Sequence, residues 1–370
     1  MENAAINTQQ PSGIDSIKEN LEQVSRTIDS MLQEDPFPAN IEPDYLRQAV
    51  TAYPTRGGKR LRPAIVLWSC GLFDGDPEKA RHAALAVELY HNWTLIHDDI
   101  IDQDSLRRGS ATCHVLVSEQ AHEIFPRMAE SEADQFGKDM AILAGDILHS
   151  WAARTLQRTS TEDIEYWRVQ ALLERMTGWL TPRLISGEAM DVELGQRENV
   201  DREHVEYAMQ LKTGALLAYA AEAGGLLSPH TTGLEDPRVQ TLSRFGRTIG
   251  LAFQLQDDYL GLYGSDKNMG KDIGSDLREG RIPYPVACTL ETAPAADQSA
   301  LRSILQKKEL SAEDIDQAYG LIEKNGGDRM TSDRTEELFR EGEKLLESFS
   351  EGQYRRCFEE LLAFLRHRQS

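Results

Sequence analysis

The stretch LAVELYHNWTLIHDDIIDQDSLRRG, residues 85–109, combines a helical apolar pattern with a dense group of carboxylates. Leu89 and Ile96 recur at helical spacing, which predicts one buried stripe. Asp98 and Asp102 are four residues apart and therefore share one face of that helix. A solvated face is the ordinary explanation of such a charge run. Because these carboxylates follow the apolar residues NWTLI, a site for a hard divalent cation such as Mg²⁺ is the competing interpretation.

A second acidic pair ends another apolar helix. The stretch FQLQDDYLGLYG, residues 253–264, places Asp257 and Asp258 after a stripe that includes Phe245 and Ile249. Either acidic pair alone would be structural in most proteins. If the two pairs face each other, the helices enclose a cavity that can bind two or three metal ions around one diphosphate.

Basic residues occur in four short segments, as a diphosphate site would require. Arginine binds phosphate oxygens in pairs, and lysine supplies a point charge. Each segment alone has a plain explanation as surface charge, whereas the combination favours an anionic ligand. The segments are GGKRLRP (57–63) with Lys59, Arg60 and Arg62, LRRG (106–109) with Arg107 and Arg108, KTG (212–214) with Lys212, and MGKDIG (269–274) with Lys271.

The composition of the whole chain limits its partners and its location. The 370 residues include 40 basic and 61 acidic side chains, a formal charge of -21, which argues against nucleic acid because phosphate backbones need a basic surface. The four cysteines form no CxxC pair, so neither a disulfide framework nor a zinc cluster is predicted. No apolar run could span a bilayer and the N-terminus has no apolar signal segment. We therefore expect a cytoplasmic protein without an integral membrane segment.

The spacing of apolar residues predicts helices throughout and no strand. We expect an N-terminal tail and arm helix over 1–40, with the helix itself from about Ile14 to Leu32, and a helical domain over 41–370. The acidic segment 118–138 breaks the pattern and is predicted to be an exposed loop or a short surface helix. A final helix is predicted over 333–366.

The ordered motifs resemble those of the trans-polyprenyl diphosphate synthases, which include geranylgeranyl and farnesyl diphosphate synthases and share the isoprenoid synthase fold. The likeness implies an all-α, single-domain bundle of long helices around a central active-site cavity, with a motif-bearing core at 56–285 and C-terminal helices at 286–370. The motifs in chain order are GGKRLRP, LIHDDIIDQDSLRRG, AILAGDIL, KTG, FQLQDDYLG and GKDIGSDLREG.

The resemblance assigns roles to individual residues. It implies two or three Mg²⁺ ions held by Asp98, Asp102 and Asp257, with support from Asp99, Asp104 and Asp258. Isopentenyl diphosphate would be held by Lys59, Arg62, His91 and Arg108. The allylic diphosphate would be held by Arg107, Lys212, Thr213, Gln254 and Lys271, with Arg281 standing where the family commonly has a lysine. The catalytic set would comprise Asp98, Asp99, Asp102, Arg107, Lys212, Asp257, Asp258 and Lys271.

The implied reaction is ionisation of an allylic diphosphate, attack by the double bond of isopentenyl diphosphate and loss of a proton. The family's second acidic motif ends on aspartate, whereas this chain has Gly261. We therefore expect weaker metal binding at that motif rather than inactivity. The resemblance also implies a homodimer.

Product length is predicted from the aromatic residues that precede the first acidic motif. Trp93, five residues before Asp98, followed by the small Thr94, resembles enzymes that make geranylgeranyl diphosphate. Tyr90 lies one turn earlier, so farnesyl diphosphate is the close alternative, and both rings could instead be ordinary core. Two rival functions remain. The GGKRLRP motif disfavours a terpene cyclase, and the retained aspartates disfavour a non-catalytic subunit of a heteromeric synthase.

Overall fold

A computed structural model describes residues 13–107, 109–197, 200–263, 275–278, 280–307 and 309–367. Its main elements are helices, which confirms the predicted all-α class. The helices are α1 (Gly13–Glu34), α2 (Asp44–Ala52), α3 (Leu61–Leu72), α4 (Arg81–Ile101), α5 (Cys113–Ile124), α6 (Glu130–Arg158), α7 (Tyr166–Arg175), α8 (Thr181–Leu194), α9 (Arg202–Met209), α10 (Ala215–Leu227), α11 (Pro237–Tyr263), α12 (Ser275–Arg278), α13 (Tyr284–Thr292), α14 (Ala295–Leu305), α15 (Ala312–Asn325), α16 (Gly327–Leu346) and α17 (Gln353–Arg366).

Two very short strands follow α4, although the sequence predicted none. β1 (Leu106–Arg107) and β2 (Ser110–Ala111) pair antiparallel, with Arg107 opposite Ser110. Gly109 has φ +74° in the intervening turn, a conformation that glycine adopts without a Cβ clash. Two-residue strands are too short to show a period-two pattern, so sequence periodicity could not reveal them.

Helix α4 is the central helix of the bundle. It packs along α6 on one side and against α3 on the other. Leu89 and Ile96, from the predicted stripe, have no exposed surface. Three of its remaining buried positions, Ala83, Ala84 and Ala86, are alanines, which lets the neighbouring helices approach closely. This packing fixes the orientation of the acidic C-terminal end of α4.

The acidic segment 118–138 is not a loop or a short surface helix. It contains the end of α5, a break at 125–129 and the start of the long helix α6. The break coincides with Pro126, which cannot continue a helix. Phe136 packs its ring against that of Phe125 at 5.6 Å. The buried face of α6 here consists of small residues such as Gly137, whose close contact with α5 leaves no room for a Cβ. Because small residues produce little hydrophobic periodicity, the sequence did not predict this part of the helix.

The predicted final helix over 333–366 is also wrong in its bounds. Helix α16 begins earlier, at Gly327, and ends at Leu346; α17 then runs from Gln353 to Arg366. The connection contains Phe349, which is buried and packs edge-on against Phe73 at a centroid distance of 5.8 Å. Burial of Phe349 therefore fixes the reversal of chain direction between α16 and α17, and α17 packs against α1 and α3.

None of the described helices has the length and apolar character needed to cross a membrane.

Candidate active site

A cavity of about 1330 Å³ lies between the ends of α3, α4, α8 and α11. It collects residues that are far apart in the sequence. Of the residues predicted from the motifs, those that line it are Lys59, Arg62, His91, Trp93, Thr94, Asp98, Arg107, Lys212, Thr213, Gln254 and Asp257. The acidic ends of α4 and α11 therefore share one cavity with four of the predicted cations.

Asp98 is the carboxylate of α4 that faces the cavity. Its Oδ1 lies 3.0 Å from Lys212 Nζ, and its Oδ2 accepts a hydrogen bond from Arg107 Nη2 at 3.2 Å. Burial raises the pKa of this carboxyl, but Lys212 and then Arg107 outweigh burial and hold the pKa below its ordinary value. Asp98 is therefore ionised, with the charged side chains of Lys212 and Arg107 beside it.

Asp99 lies behind the cavity wall and is fully buried. Arg107 Nε donates to its Oδ1 at 2.5 Å, and the Tyr53 hydroxyl donates to its Oδ2. Both carboxylate oxygens are thus committed to protein donors. Asp99 orients the guanidinium of Arg107 toward the cavity and does not face the cavity itself.

Asp102 ends α4 one turn after Asp98 and pairs with Arg281. Burial, and then the charge of Asp98, raises the pKa of Asp102. Asp104 lies just beyond, 4.0 Å from Arg107 Nη2. The carboxylates of the first motif therefore differ in environment, and each is near an arginine or lysine.

The first motif can accommodate a hard divalent cation. Asp98 Oδ1 and Asp102 Oδ2 are buried oxygens that accept no well-directed hydrogen bond from the described residues, although each lies beside a cation. Within the same part of the chain, no three His, Cys, Asp or Glu side chains form a ready cage. Lys212 lies beside Asp98 and Arg281 beside Asp102, so a metal ion held by these two oxygens would take the place of both cations.

Two carboxylates of α8 complete the surroundings of Lys212. Glu188 Oε2 and Asp191 Oδ2 both lie 2.8 Å from Lys212 Nζ. Burial raises the pKa of Glu188 to about 7. Neither residue was predicted from the sequence; their spacing of three on one helix, within GEAMD, is the signal that could have identified them.

The second acidic motif places its two aspartates in different environments. Asp257 lines the cavity, whereas Asp258 is buried and accepts a 2.8 Å hydrogen bond from the backbone N–H of Tyr284 at the start of α13. Burial, and then the charge of Asp276, raises the pKa of Asp258 well above its ordinary value. Asp258 therefore joins α11 to α13 instead of facing the cavity.

Gly261 replaces the last acidic position of that motif, and another carboxylate lies beside it. A Cβ at Gly261 would be 3.1 Å from Asp276 Oδ2. The glycine thus leaves room for a carboxylate supplied by α12. This neighbour is 15 residues away along the chain, so the motif alone could not reveal it.

The loop before α3 brings the predicted isopentenyl diphosphate residues to one end of the cavity. Gly57 and Gly58 have φ values of +74° and +145°, which glycine tolerates. Lys59 and Arg62 follow, and Arg62 Nη1 lies 3.1 Å from His91 Nε2 on α4. Arg108, predicted to act with them, lies outside the described residues.

Lys212 and Thr213 are carried by a π-helical turn, Gln210–Gly214, between α9 and α10. Such turns shift the side chains that follow relative to a regular helix and are frequent at functional sites. Thr213 Oγ1 donates to Gln254 Oε1 on α11 at 3.1 Å, which links this turn to the second acidic motif. Lys271, predicted beside them, lies outside the described residues.

The predicted chain-length residues form an aromatic group on α4. Trp93 and Thr94 line the cavity, and Tyr90 lies beneath them with no exposed surface. The Tyr90 and Trp93 rings are 4.8 Å apart, and His149 of α6 packs on Trp93 at 4.7 Å. Tyr90 also shares a 2.9 Å hydrogen bond with Thr181 at the start of α8. Three helices therefore meet at this wall.

Comparison with known proteins gives one consistent result. The polyprenyl synthetase family matches residues 43–322. The geranylgeranyl diphosphate synthase of Saccharolobus solfataricus is 37% identical over 273 residues, which cover 73% of this chain and 74% of that protein. The farnesyl diphosphate synthase of Geobacillus stearothermophilus is 32% identical over 75% of this chain and 85% of its own length. Among solved structures, the geranylgeranyl pyrophosphate synthetase of Pyrococcus horikoshii superimposes with a TM-score of 0.82 at 30% identity, over 96% of this chain and all of that one.

Proposed function

Because the chain belongs to the polyprenyl synthetase family, we propose that its cavity condenses isopentenyl diphosphate with an allylic diphosphate and that the main product is geranylgeranyl diphosphate. The protein is a prenyltransferase of the short-chain prenyl diphosphate synthase type. The product assignment follows the geranylgeranyl diphosphate synthases among its relatives and the aromatic wall at Trp93.

The observation that carries this function is the meeting of two acidic motifs in one cavity. Asp98 on α4 and Asp257 on α11 line the same space together with Lys59, Arg107 and Lys212. Two substrates that carry one diphosphate each need cations at two places, together with carboxylates that bind metal. A terpene cyclase binds one diphosphate and would not need the Lys59 end of the cavity.

Asp98, Asp102 and Asp257 would hold Mg²⁺, in two or three ions per site. Bound magnesium would supply charge to neutralise the departing diphosphate. The chain's own cations would contribute to the same neutralisation, because Lys212 and Arg107, now paired with Asp98, would exchange that partner for phosphate oxygens. Asp99 would continue to hold Arg107 from behind the cavity wall. Electrostatic stabilisation of this kind costs little reorganisation when the groups are held in place beforehand.

The rest of the cavity orients the second substrate and excludes water. Lys59, Arg62 and His91 would bind the diphosphate of isopentenyl diphosphate, which places its double bond toward the allylic carbon. The allylic carbon–oxygen bond to diphosphate breaks first, and the double bond of isopentenyl diphosphate then attacks the allylic cation to form the new carbon–carbon bond. The proton then lost from the condensed chain passes to the released diphosphate. Apolar residues such as Leu184 and Phe253 line the cavity and keep water from the cation.

Farnesyl diphosphate is the second candidate product. Tyr90 and Trp93 pack together beneath the cavity and are supported by His149, so the wall is bulkier than a single aromatic residue would make it. The Geobacillus stearothermophilus relative, a farnesyl diphosphate synthase, is nearly as similar as the geranylgeranyl enzymes. A product of fifteen carbons would follow if this wall stops the chain one isoprene unit earlier.

The assembly and location are further proposals. We expect a homodimer, as the sequence motifs imply, in the cytoplasm. Two adjacent exposed apolar residues on α6, Ile142 and Leu143, offer an apolar surface for a second subunit. Sedimentation of the purified protein would distinguish a dimer from a monomer.

The decisive experiment is an elongation assay. Purified protein would be incubated with magnesium, labelled isopentenyl diphosphate and, separately, the five-, ten- and fifteen-carbon allylic diphosphates, and the products sized. A linear twenty-carbon product supports the proposal, and arrest at fifteen carbons supports the farnesyl alternative. No elongation from any primer would refute the synthase function and favour a cyclase or a partner-dependent subunit.

A further inference from the structure

Arg60 is an unusual residue in the loop that carries Lys59 and Arg62. Its backbone has φ +47° and ψ +35°, the left-handed conformation, directly before α3 begins at Leu61. A residue with a Cβ adopts this conformation only when its surroundings hold it there. Its side chain is fully buried, although arginine is rarely buried unless paired.

Three acceptors hold the Arg60 guanidinium. Nη1 donates to Glu88 Oε1 at 2.6 Å, and Nη2 donates both to Asp29 Oδ1 and to the carbonyl of Pro54, each at 2.7 Å. These are short, charge-assisted hydrogen bonds, and they fix the plane of the guanidinium. The charge of Glu88 and the bonds to both carboxylates raise the pKa of Arg60 despite its burial, so the group stays charged.

The three acceptors belong to three parts of the chain. Glu88 is on α4, where its side chain also accepts from Asn92 at 3.2 Å, and Pro54 opens the short turn before the loop. Asp29 is on the arm helix α1, and it is the one partner of the three with a substantially exposed side chain, at 40%. The arm helix therefore supplies one of the two carboxylates that neutralise Arg60.

We propose that Arg60 is a positioning residue for the isopentenyl diphosphate end of the cavity and that the arm helix, through Asp29, is part of this positioning device. The inference rests on the proposed function, since it assumes that Lys59 and Arg62 bind that substrate. Arg60 borders the cavity, but its guanidinium would not bind substrate because it is committed to Asp29, Glu88 and the carbonyl of Pro54.

The position of Arg60 in the loop explains why its hydrogen bonds to Asp29 and Glu88 would affect the binding of only one substrate. Lys59 directly precedes Arg60, so the left-handed residue sets the direction in which Lys59 leaves the loop. Arg62 lies in the first turn of α3, and Arg60 is the residue that starts this helix. Loss of these hydrogen bonds lets Arg60 relax to an ordinary conformation, which moves Lys59 relative to Arg62. Lys212, on the allylic side, is carried by a different element and keeps its position.

The test is the variant Asp29→Asn, with Glu22→Gln as its matched control. Both remove one negative charge from α1, but Glu22 pairs only loosely and at the surface, 4.0 Å from Arg26. For Asp29→Asn we expect the KM for isopentenyl diphosphate to rise about 5- to 20-fold, because a small displacement of binding groups is costly. The KM for the allylic diphosphate and the kcat should change less than about twofold. Glu22→Gln should match the wild type.

Direct binding separates this inference from the proposed function. Calorimetric titration of isopentenyl diphosphate into the protein without primer should give a Kd that rises in Asp29→Asn by the same factor as KM. If the wild type does not bind this compound, the proposed function fails and the inference fails with it. If the wild type binds and Asp29→Asn binds equally well, only the inference is refuted. An equal rise in both KM values with a lower Tm would show a merely structural role.

A second variant, Arg60→Gly, separates the effect of the guanidinium hydrogen bonds from the effect of the left-handed backbone conformation. Glycine adopts a positive φ freely but has no guanidinium to hold the loop in place. We expect Arg60→Gly to weaken binding of isopentenyl diphosphate at least as much as Asp29→Asn does. Wild-type affinity in Arg60→Gly would show that the backbone alone sets the loop, and would overturn the proposal.

Discussion

At the scale of single residues, the carboxylates of the two acidic motifs have separate roles. Asp98 and Asp257 face the cavity, whereas Asp99 orients Arg107 and Asp258 caps the backbone at Tyr284. Adjacent residues on a helix point about 100° apart, so a pair of neighbouring aspartates cannot serve one ligand equally. Within each pair, one residue lines the cavity and the other is committed to the fold.

Replacing Asp98 by asparagine tests the metal role at the residue that faces the cavity. We expect kcat to fall about 10²- to 10³-fold or more, because the amide cannot neutralise a metal as a carboxylate does. Lys212 and Arg107 hold the pKa of Asp98 below its ordinary value, so removing this anion should also lower Tm at neutral pH. Steady-state kinetics at varied magnesium and thermal melts would measure both effects.

The control for that variant is Asp139→Asn, which removes one negative charge from the exposed side of α6. It should leave both kcat and Tm close to the wild type. Undiminished turnover in Asp98→Asn at any magnesium concentration would contradict the assignment of Asp98 as a ligand.

Glu188 gives a prediction of pH dependence in the metal-free protein. Its pKa is about 7 in the folded protein and 4.5 when unperturbed. Between these values the folded state binds the extra proton, so the free energy of unfolding decreases as pH rises from about 4.5 to 7 and stays lowered above 7. The variant Glu188→Gln cannot ionise here. Its stability relative to the wild type should therefore increase by about 1–3 kcal/mol from pH 5 to pH 8.

Chemical denaturation of both proteins with chelator at several pH values would measure this difference. Ser303→Ala, on the exposed side of α14, provides a control in which no carboxylate changes. Parallel stability curves for the wild type and Glu188→Gln would mean that Glu188 ionises at an ordinary pKa beside Lys212.

At the scale of elements, helix α4 carries three groups of cavity residues along its length. Tyr90 and Trp93 form the aromatic wall, His91 lies beside Arg62, and Asp98 follows one to two turns later. At 1.5 Å per residue, the wall and the carboxylate are about 7–8 Å apart along the helix axis. The separation of Asp98 from Trp93 along the helix axis is therefore set by helix geometry.

Replacing Trp93 by alanine tests this wall. If the ring stops the growing chain, the variant should make products longer than those of the wild type, because the opened space continues toward His149. Loss of a buried indole should also cost about 3–5 kcal/mol of stability. Chromatographic sizing of products and thermal melts would report the two effects separately.

The matched variant is Tyr90→Phe, which keeps the ring and removes only the hydroxyl that bonds Thr181. We expect its product length to equal that of the wild type. An unchanged product in Trp93→Ala, with a lowered Tm, would show that the ring serves packing alone.

At the scale of the whole molecule, strong negative charge surrounds a cavity that concentrates cations. The chain carries a formal charge of -21, yet Lys59, Arg62, Arg107 and Lys212 all line one space. The general field would repel anionic substrates at long range. The cations that line the cavity would therefore have to overcome this repulsion at short range.

The same charge predicts that salt stabilises the fold. Raising sodium chloride from about 0.02 to about 0.3 M shortens the Debye length and screens self-repulsion, so Tm should rise by about 2–5 °C. Magnesium chloride at equal ionic strength should raise Tm further if the carboxylates bind the ion. Identical Tm values in the two salts would argue against a magnesium site, and a fall of Tm with sodium chloride would show that surface ion pairs outweigh repulsion.

Long apolar stripes determined the helical class from the sequence alone, because burial of one helix face leaves a 3.6-residue period. They located α4 and α11 well. The stripes did not predict the start of α6, where the buried face consists of small residues such as Gly137. They also did not predict the break between α16 and α17, where the connecting segment contains the buried residue Phe349.

The sequence by itself identified motifs that line the cavity, since Asp98, Lys59 and Asp257 occur in stretches whose residue types and spacing suit diphosphate and metal. Only the tertiary structure decided which member of each acidic pair faces the cavity, and that Glu188, Asp276 and Tyr53 stand beside them. The physical reason is that periodicity along a helix is a local property. Contacts between helices depend on how side chains pack across distances that the sequence does not record.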